Sequence, residues 1–136
     1  QKHTSLVDSM SDSFGVRDLK WDSETGFILN DQPVKIKGMA NHQDFAGVGV
    51  AVPDPLQGFR VKMMKEMGAN AWRTAHNPPN EALLQACDQQ GLLVWDENHR
   101  NLVSDEMIDD LKALVLRDRN HPSVIMWSLC NEKLCE

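Results

Sequence analysis

Val124-Ile125-Met126-Trp127-Ser128-Leu129-Cys130-Asn131-Glu132 is the stretch that decides the fold. Its first four residues are wholly apolar, as a strand of a parallel sheet covered on both faces should be. Asn131 and Glu132 follow just where such a strand would emerge. The same arrangement recurs upstream. Leu92-Leu93-Val94-Trp95 leads to Asp96 and Glu97, and Asn70-Ala71-Trp72-Arg73-Thr74 leads to His76. Val34-Lys35-Ile36-Lys37 alternates at period two and leads to His42 and Asp44.

Helical patterns lie between these strands. Asp54-Pro55 reads as an N-cap followed by proline at the first helical position. Leu56, Phe59, Met63 and Met67 then form the expected apolar face, with Gly68 as the stop. Asn80 is the expected cap of a second helix that runs through Leu83, Leu84 and Cys87 to Gly91. Ser104, with Asp105 and Glu106, opens a third whose expected face is Ile108, Leu111 and Val115. The order β-α-β-α-β-α-β predicts a parallel sheet with helices outside it. No G-x-G-x-x-G turn follows the first strand and no Walker A sequence occurs, which argues against an open nucleotide-binding sheet. Polar residues after every strand instead predict the catalytic face of a (β/α) barrel. A full (β/α)8 TIM barrel takes about 250 residues and eight strands. Four strands over residues 34–136 therefore predict the N-terminal half of one. Residues 1–33 read as an extended segment and a hairpin, with Asn30-Asp31 as the turn, leading into the larger unit.

Composition bounds the function. With 136 residues, 41% hydrophobic and 25% charged, the chain is of the folded globular class. A net charge of −6 argues against nucleic acid, whose phosphates need a basic surface. No apolar run approaches the roughly 18 residues of a membrane span. The first residues do not read as a signal peptide, and the start at Gln1 predicts further chain upstream, so the compartment stays open. Cys87, Cys130 and Cys135 are an odd number without C-x-x-C spacing, so buried thiols are expected rather than a disulfide scaffold or zinc site.

Glu132 is the first candidate for catalysis: a carboxyl at a strand end, beside Asn131, suits a general acid with a raised pKa. The bland alternative is a solvated loop glutamate. Asp96 and Glu97 are adjacent on a strand, so at most one faces a pocket; helix caps or buried ion pairs are the alternative roles. His42, Asp44 and His76 could in principle hold a metal, but no His-x-His occurs and hydrogen bonding to a polar ligand fits better. Arg73 points either inward, to orient carboxylates, or outward to solvent. Trp72 and Trp95 read as core, and Trp127 as the tryptophan best placed to floor a sugar site.

The run from Arg117 to Glu132, RDRNHPSVIMWSLCNE, closely resembles the R-D-x-N-H-P-S-[VI]-x-x-W-S-x-x-N-E signature of glycoside hydrolase family 2. Lys37-Gly38-Met39-Ala40-Asn41-His42-Gln43-Asp44 is similar to that family's first-strand segment. Residues 65–79 resemble its M-K-x-x-G-x-N-x-x-R-x-S-H-x-P stretch, and residues 87–97 its C-D-x-x-G-[LI]-x-V-x-D-E strand. The resemblance covers residues 14–132.

The resemblance implies a retaining glycosidase of the β-galactosidase type, with an immunoglobulin-like sandwich before the barrel. Residues 1–33, as the end of that sandwich and the entry hairpin, would precede a barrel domain over 34–136. Glu132 falls on the general acid/base and Asn131 on the neighbour that binds the sugar 2-hydroxyl. His42, Arg73 and His76 fall on active-site positions, and Asp96 and Glu97 on supporting ones. Retention needs two carboxylates about 5–5.5 Å apart. The family's nucleophile lies after the seventh strand, so these residues are expected to lack it and, by themselves, to be inactive. Two departures matter. Cys130 stands where a small residue is usual, and Asn98-His99-Arg100-Asn101 lacks the Glu-x-His that binds magnesium in some relatives, so no metal or cofactor is expected. The substrate implied is a carbohydrate, a β-galactoside first and a β-glucuronide or β-mannoside after it. A silent sugar-binding or complementation fragment is the alternative from another class. A homo-oligomer of a full-length protein is left open.

Overall fold

The computed structural model describes residues 7–99, 104–129 and 131. Strands β1 (Leu19–Asp22), β2 (Gly26–Leu29) and β3 (Gln32–Pro33) form a small antiparallel sheet in that order. Asn30 and Asp31 both have positive φ at the β2–β3 turn, where these two residue types are tolerated best. Trp21 packs on Phe27 with ring centroids 4.6 Å apart, and Phe27 is the buried residue of this hairpin.

The larger unit alternates β4 (Gly38–Asn41), α1 (Asp54–Glu66), β5 (Ala71–Thr74), α2 (Glu81–Gln90), β6 (Leu93–Glu97), α3 (Asp105–Asp118) and β7 (Val124–Ser128). The four strands lie side by side in chain order, each pair parallel. The expected half of a (β/α)8 barrel is therefore present: four parallel strands, with the helices that connect them.

The first barrel strand begins later than its period-two pattern suggests, at Gly38 rather than Val34. Asn70 explains the shift. Its side chain accepts from Lys37 N at 2.6 Å and donates to Lys35 O at 2.8 Å, so an amide takes the place of a neighbouring strand there. Asp54 is not the N-cap of α1: Pro53 is, without a side-chain cap, and Asp54 lies in the first turn as an acid facing the helix dipole. The expected caps of α2 and α3 do form. Asn80 accepts from Ala82 N at 2.6 Å and Ser104 from Met107 N at 3.4 Å. Gly91 ends α2 in the left-handed region at φ 69°, which only glycine adopts at little cost.

The core lies between the sheet and its helices. It gathers Val61 and Met64 of α1, Leu83, Leu84 and Cys87 of α2, and Trp72, Leu92, Val94 and Val124 from the sheet side. Burial pushes the Cys87 thiol up to about 12, with Asp88 adding to it, so this cysteine is an inert core residue. Two helix faces differ from expectation. α1 buries Gln57, Arg60, Val61 and Met64, leaving Phe59, Met63 and Met67 exposed. α3 buries Met107, Leu114 and Asp118, with Ile108 exposed. Arg60 is the reason for the first: its guanidinium lies 5.0 Å from the Trp72 ring centroid, bonds Gln57, and donates to the His42 carbonyl. A stacked, bonded arginine makes a core face that hydropathy alone does not see.

Candidate active site

The C-terminal ends of β5, β6 and β7 bring polar side chains to one place. Arg73 occupies the third position of β5, between outward-facing Trp72 and Thr74, and so points away from the helices. On β6, Val94 and Asp96 face the helices, which turns Trp95 and Glu97 the other way. Arg73 packs over Trp95, 5.1 Å from its ring centroid, and its Nε donates to Glu97 Oε2 at 2.7 Å. Its Nη2 donates to Asn131 Oδ1 at 2.8 Å. One arginine on the second barrel strand thus joins the last residue of the third to a residue just after the fourth.

Glu97 is the hub. It is fully buried, and its second oxygen, Oε1, lies 2.6 Å from His76 Nδ1. Its backbone N–H donates to Thr74 Oγ1 at 2.9 Å, which pins the strand end against β5. His76 follows a cis peptide bond from Ala75 and meets the His42 ring edge-on, with centroids 5.2 Å apart. The neighbouring loop is tied in by Asn77 Nδ2, which donates to Gln43 Oε1 at 2.6 Å.

Of the expected site residues, His42, Arg73, His76 and Asn131 are brought together. Glu132, the expected general acid/base, lies outside the described residues, as do Cys130 and Cys135. Trp127 is not brought to the cluster. It pairs in register with Asp96 and packs against the helix-side core, on the opposite face of the sheet from Glu97. Glu97 itself was underrated in the sequence, where two adjacent acids cannot be told apart. The parity of Val94, an apolar residue that must face the helices, is the signal that could have assigned it.

The other acid has a separate role. Asp96 is fully buried behind the sheet, and neither of its carboxyl oxygens meets a donor. The group against it is a second buried acid, Asp118, whose oxygens are both held by Arg117 at 2.6 Å. Burial first, and the Asp118 carboxyl next, push Asp96 up to about 8. A proton on Asp96 supplies the donor that the pair lacks. Arg117, which also donates to Pro79 O at 3.0 Å, is raised chiefly by Asp118.

Among the described residues no three His, Cys, Asp or Glu side chains converge as a metal site would require. Residues 98–101 contain no carboxylate, so this stretch does not fit a magnesium ion. What the cluster can do is bind and orient: a cation held by a buried carboxylate, two imidazoles and an amide suit a ligand rich in hydroxyl groups.

Comparison with known proteins agrees. Residues 22–104 and 99–136 match the model of glycosyl hydrolases family 2, TIM barrel domain. A β-galactosidase of Bacteroides ovatus is 35% identical, over 98% of this chain and 17% of its own length. The crystal structure of a β-glycosidase from Bacteroides vulgatus is 40% identical with a TM-score of 0.81, over 88% of this chain and 17% of that one. A β-glucuronidase from Parabacteroides merdae is 33% identical with a TM-score of 0.80, over 88% and 16%. The chain thus spans less than a fifth of the length of each. The signature around Asn131, the four-stranded half barrel and these matches agree: the chain belongs to glycosyl hydrolase family 2, as part of its TIM-barrel domain.

Proposed function

We propose that this chain contributes the acid/base half of a retaining glycosidase that releases terminal β-linked sugars, a β-galactoside first. The observation that carries the reading is the Arg73–Glu97–His76–Asn131 network at the strand ends, with Glu132 the next residue after Asn131. In this reading Glu132 protonates the leaving oxygen and later draws a proton from water, while a second carboxylate attacks the anomeric carbon. Residues 1–33 would end a sandwich domain that leads into the barrel.

The Asn41-His42-Gln43-Asp44 segment favours the galactosidase branch. A β-glucuronide is the second reading, because relatives of comparable similarity bear that name. Hydrolysis of chromogenic β-galactoside, β-glucuronide and β-mannoside by a longer polypeptide carrying these residues decides between them. Turnover of the galactoside, reduced about 10²–10⁴-fold by Glu132→Gln, is expected. Full activity in Glu132→Gln, or none on any of the three sugars, would overturn the reading.

A further inference from the structure

Which nitrogen of His76 carries its proton is decided by the geometry around it. Nδ1 lies 2.6 Å from Glu97 Oε1 and 3.5 Å from Arg73 Nη2. An arginine only donates and an ionised carboxylate only accepts, so Nδ1 can serve one neighbour and not the other. The carboxylate is nearer by 0.9 Å, fully buried, and already accepts from Arg73 Nε at 2.7 Å through its other oxygen. Nδ1 must therefore be the N–H.

We propose that Glu97 is a positioning residue that locks His76 as its Nδ1–H tautomer, so that Nε2 meets a ligand as a hydrogen-bond acceptor. That the ligand group is a sugar hydroxyl, donating its proton to Nε2, rests on the glycosidase reading. The tautomer does not. Glu97 is suited to the task because it has two acceptor oxygens for two donors, Arg73 Nε and His76 Nδ1. A glutamine has one. Arg73 cannot turn acceptor, so in Glu97→Gln the amide oxygen must face Arg73 and the amide NH2 must face His76. His76 Nδ1 would then accept, and its proton would move to Nε2. A nearly isosteric change thus reverses what the imidazole offers to a ligand.

Long-range proton–nitrogen correlation spectra of a longer polypeptide carrying these residues and labelled with ¹⁵N-histidine test this, recorded at about pH 8. His121 is the internal reference. Its Nδ1 lies 2.6 Å from Asp88 Oδ2, before the start of β7, whereas Glu97 is at the far end of the parallel strand β6, so it should show Nδ1–H in both proteins. His76 is expected as Nδ1–H in the wild type and Nε2–H in Glu97→Gln, with His121 unchanged. Nε2–H at His76 in the wild type overturns the proposal, whether or not the variant folds. So does an unchanged His76 in a variant whose His121 signal is intact. Neither result depends on turnover. A longer polypeptide with the expected tautomers that cleaves none of the three sugars would sink the glycosidase reading and leave this one standing.

Discussion

Asp96 and Glu97 leave one strand in opposite directions, and their partners give them opposite chemistry. Glu97 meets a guanidinium and an imidazole; Asp96 meets another acid and no donor. The second arrangement makes stability depend on pH with a definite sign. An ordinary aspartate loses its proton near 3.8, whereas Asp96 in the fold keeps it up to about 8. Between those values the unfolded chain binds fewer protons, so stability falls as pH rises, by about 1.4 kcal/mol per pH unit at most. Asp96→Asn supplies a donor to Asp118 that does not titrate. We expect its thermal midpoint to exceed that of the wild type at pH 7–8 and the two to converge toward pH 4. A wild-type midpoint that rises from pH 5 to pH 8 would contradict this. At the ligand side, Arg73→Lys should lower kcat/KM of a longer active polypeptide by about tenfold or more, since one ammonium cannot reach Glu97 and Asn131 in the planar fork that Arg73 uses. Unchanged kinetics would remove Arg73 from the site. The placing of His42, His76 and Asn131 was legible because each follows a strand in a recognisable stretch, and that of Arg73 because it lies on one. Glu97 was not, because facing is set by strand parity and the sequence offers two acids of opposite parity side by side.

At the scale of elements, local chemistry was the more legible part. Asn80 and Gly91 bracket α2 as their side-chain and backbone preferences require. Asn80→Ala should cost about 1 kcal/mol in urea denaturation, because Ala82 N–H loses its acceptor. A neutral result would mean that the backbone around Pro78 and Pro79 holds the helix start unaided. The faces of α1 and α3 were less legible, for a physical reason. Helical periodicity ranks positions by apolarity, but α1 chose the face on which Arg60 could stack on Trp72. Burial lowers the pKa of Arg60 while Asp44 offsets this, so its charge persists in a half-dry place. Arg60→Leu would keep an apolar stem but lose the stacking on Trp72 and the tie to the His42 carbonyl, loosening the loop that carries His42.

The whole molecule shows what a parallel half barrel leaves uncovered. Strands β4 and β7 are the outer members of their sheet; Trp95 is 40% exposed on its concave side, and Met39, in register with Trp72, is 40% exposed on the helix side of the edge strand β4. Phe59 of α1 and Met67, just after its end, are exposed at 48% and 66%. So much open apolar surface is unusual for a protein that works alone. The 136 residues by themselves should bind a hydrophobic dye and self-associate, and a polypeptide that continues through further barrel strands should not bind the dye. Dye fluorescence with sedimentation velocity on both checks this; a dye-silent monomer of 136 residues would contradict it.

The N-terminal segment holds one more consequence. Gly15 N–H donates to Asn120 O at 3.2 Å, and a side chain at Gly15 would strike Pro122 at 2.4 Å. Arg17 reaches the carbonyl of Val124, 107 positions further on. Those partners are made long after the segment that needs them. At 5–20 residues per second, the ribosome takes on the order of 5–20 s to bridge the interval. For that time Gly15 and Arg17 wait in water without the carbonyls that will receive them, and β7 becomes the step of synthesis at which this segment first finds its place.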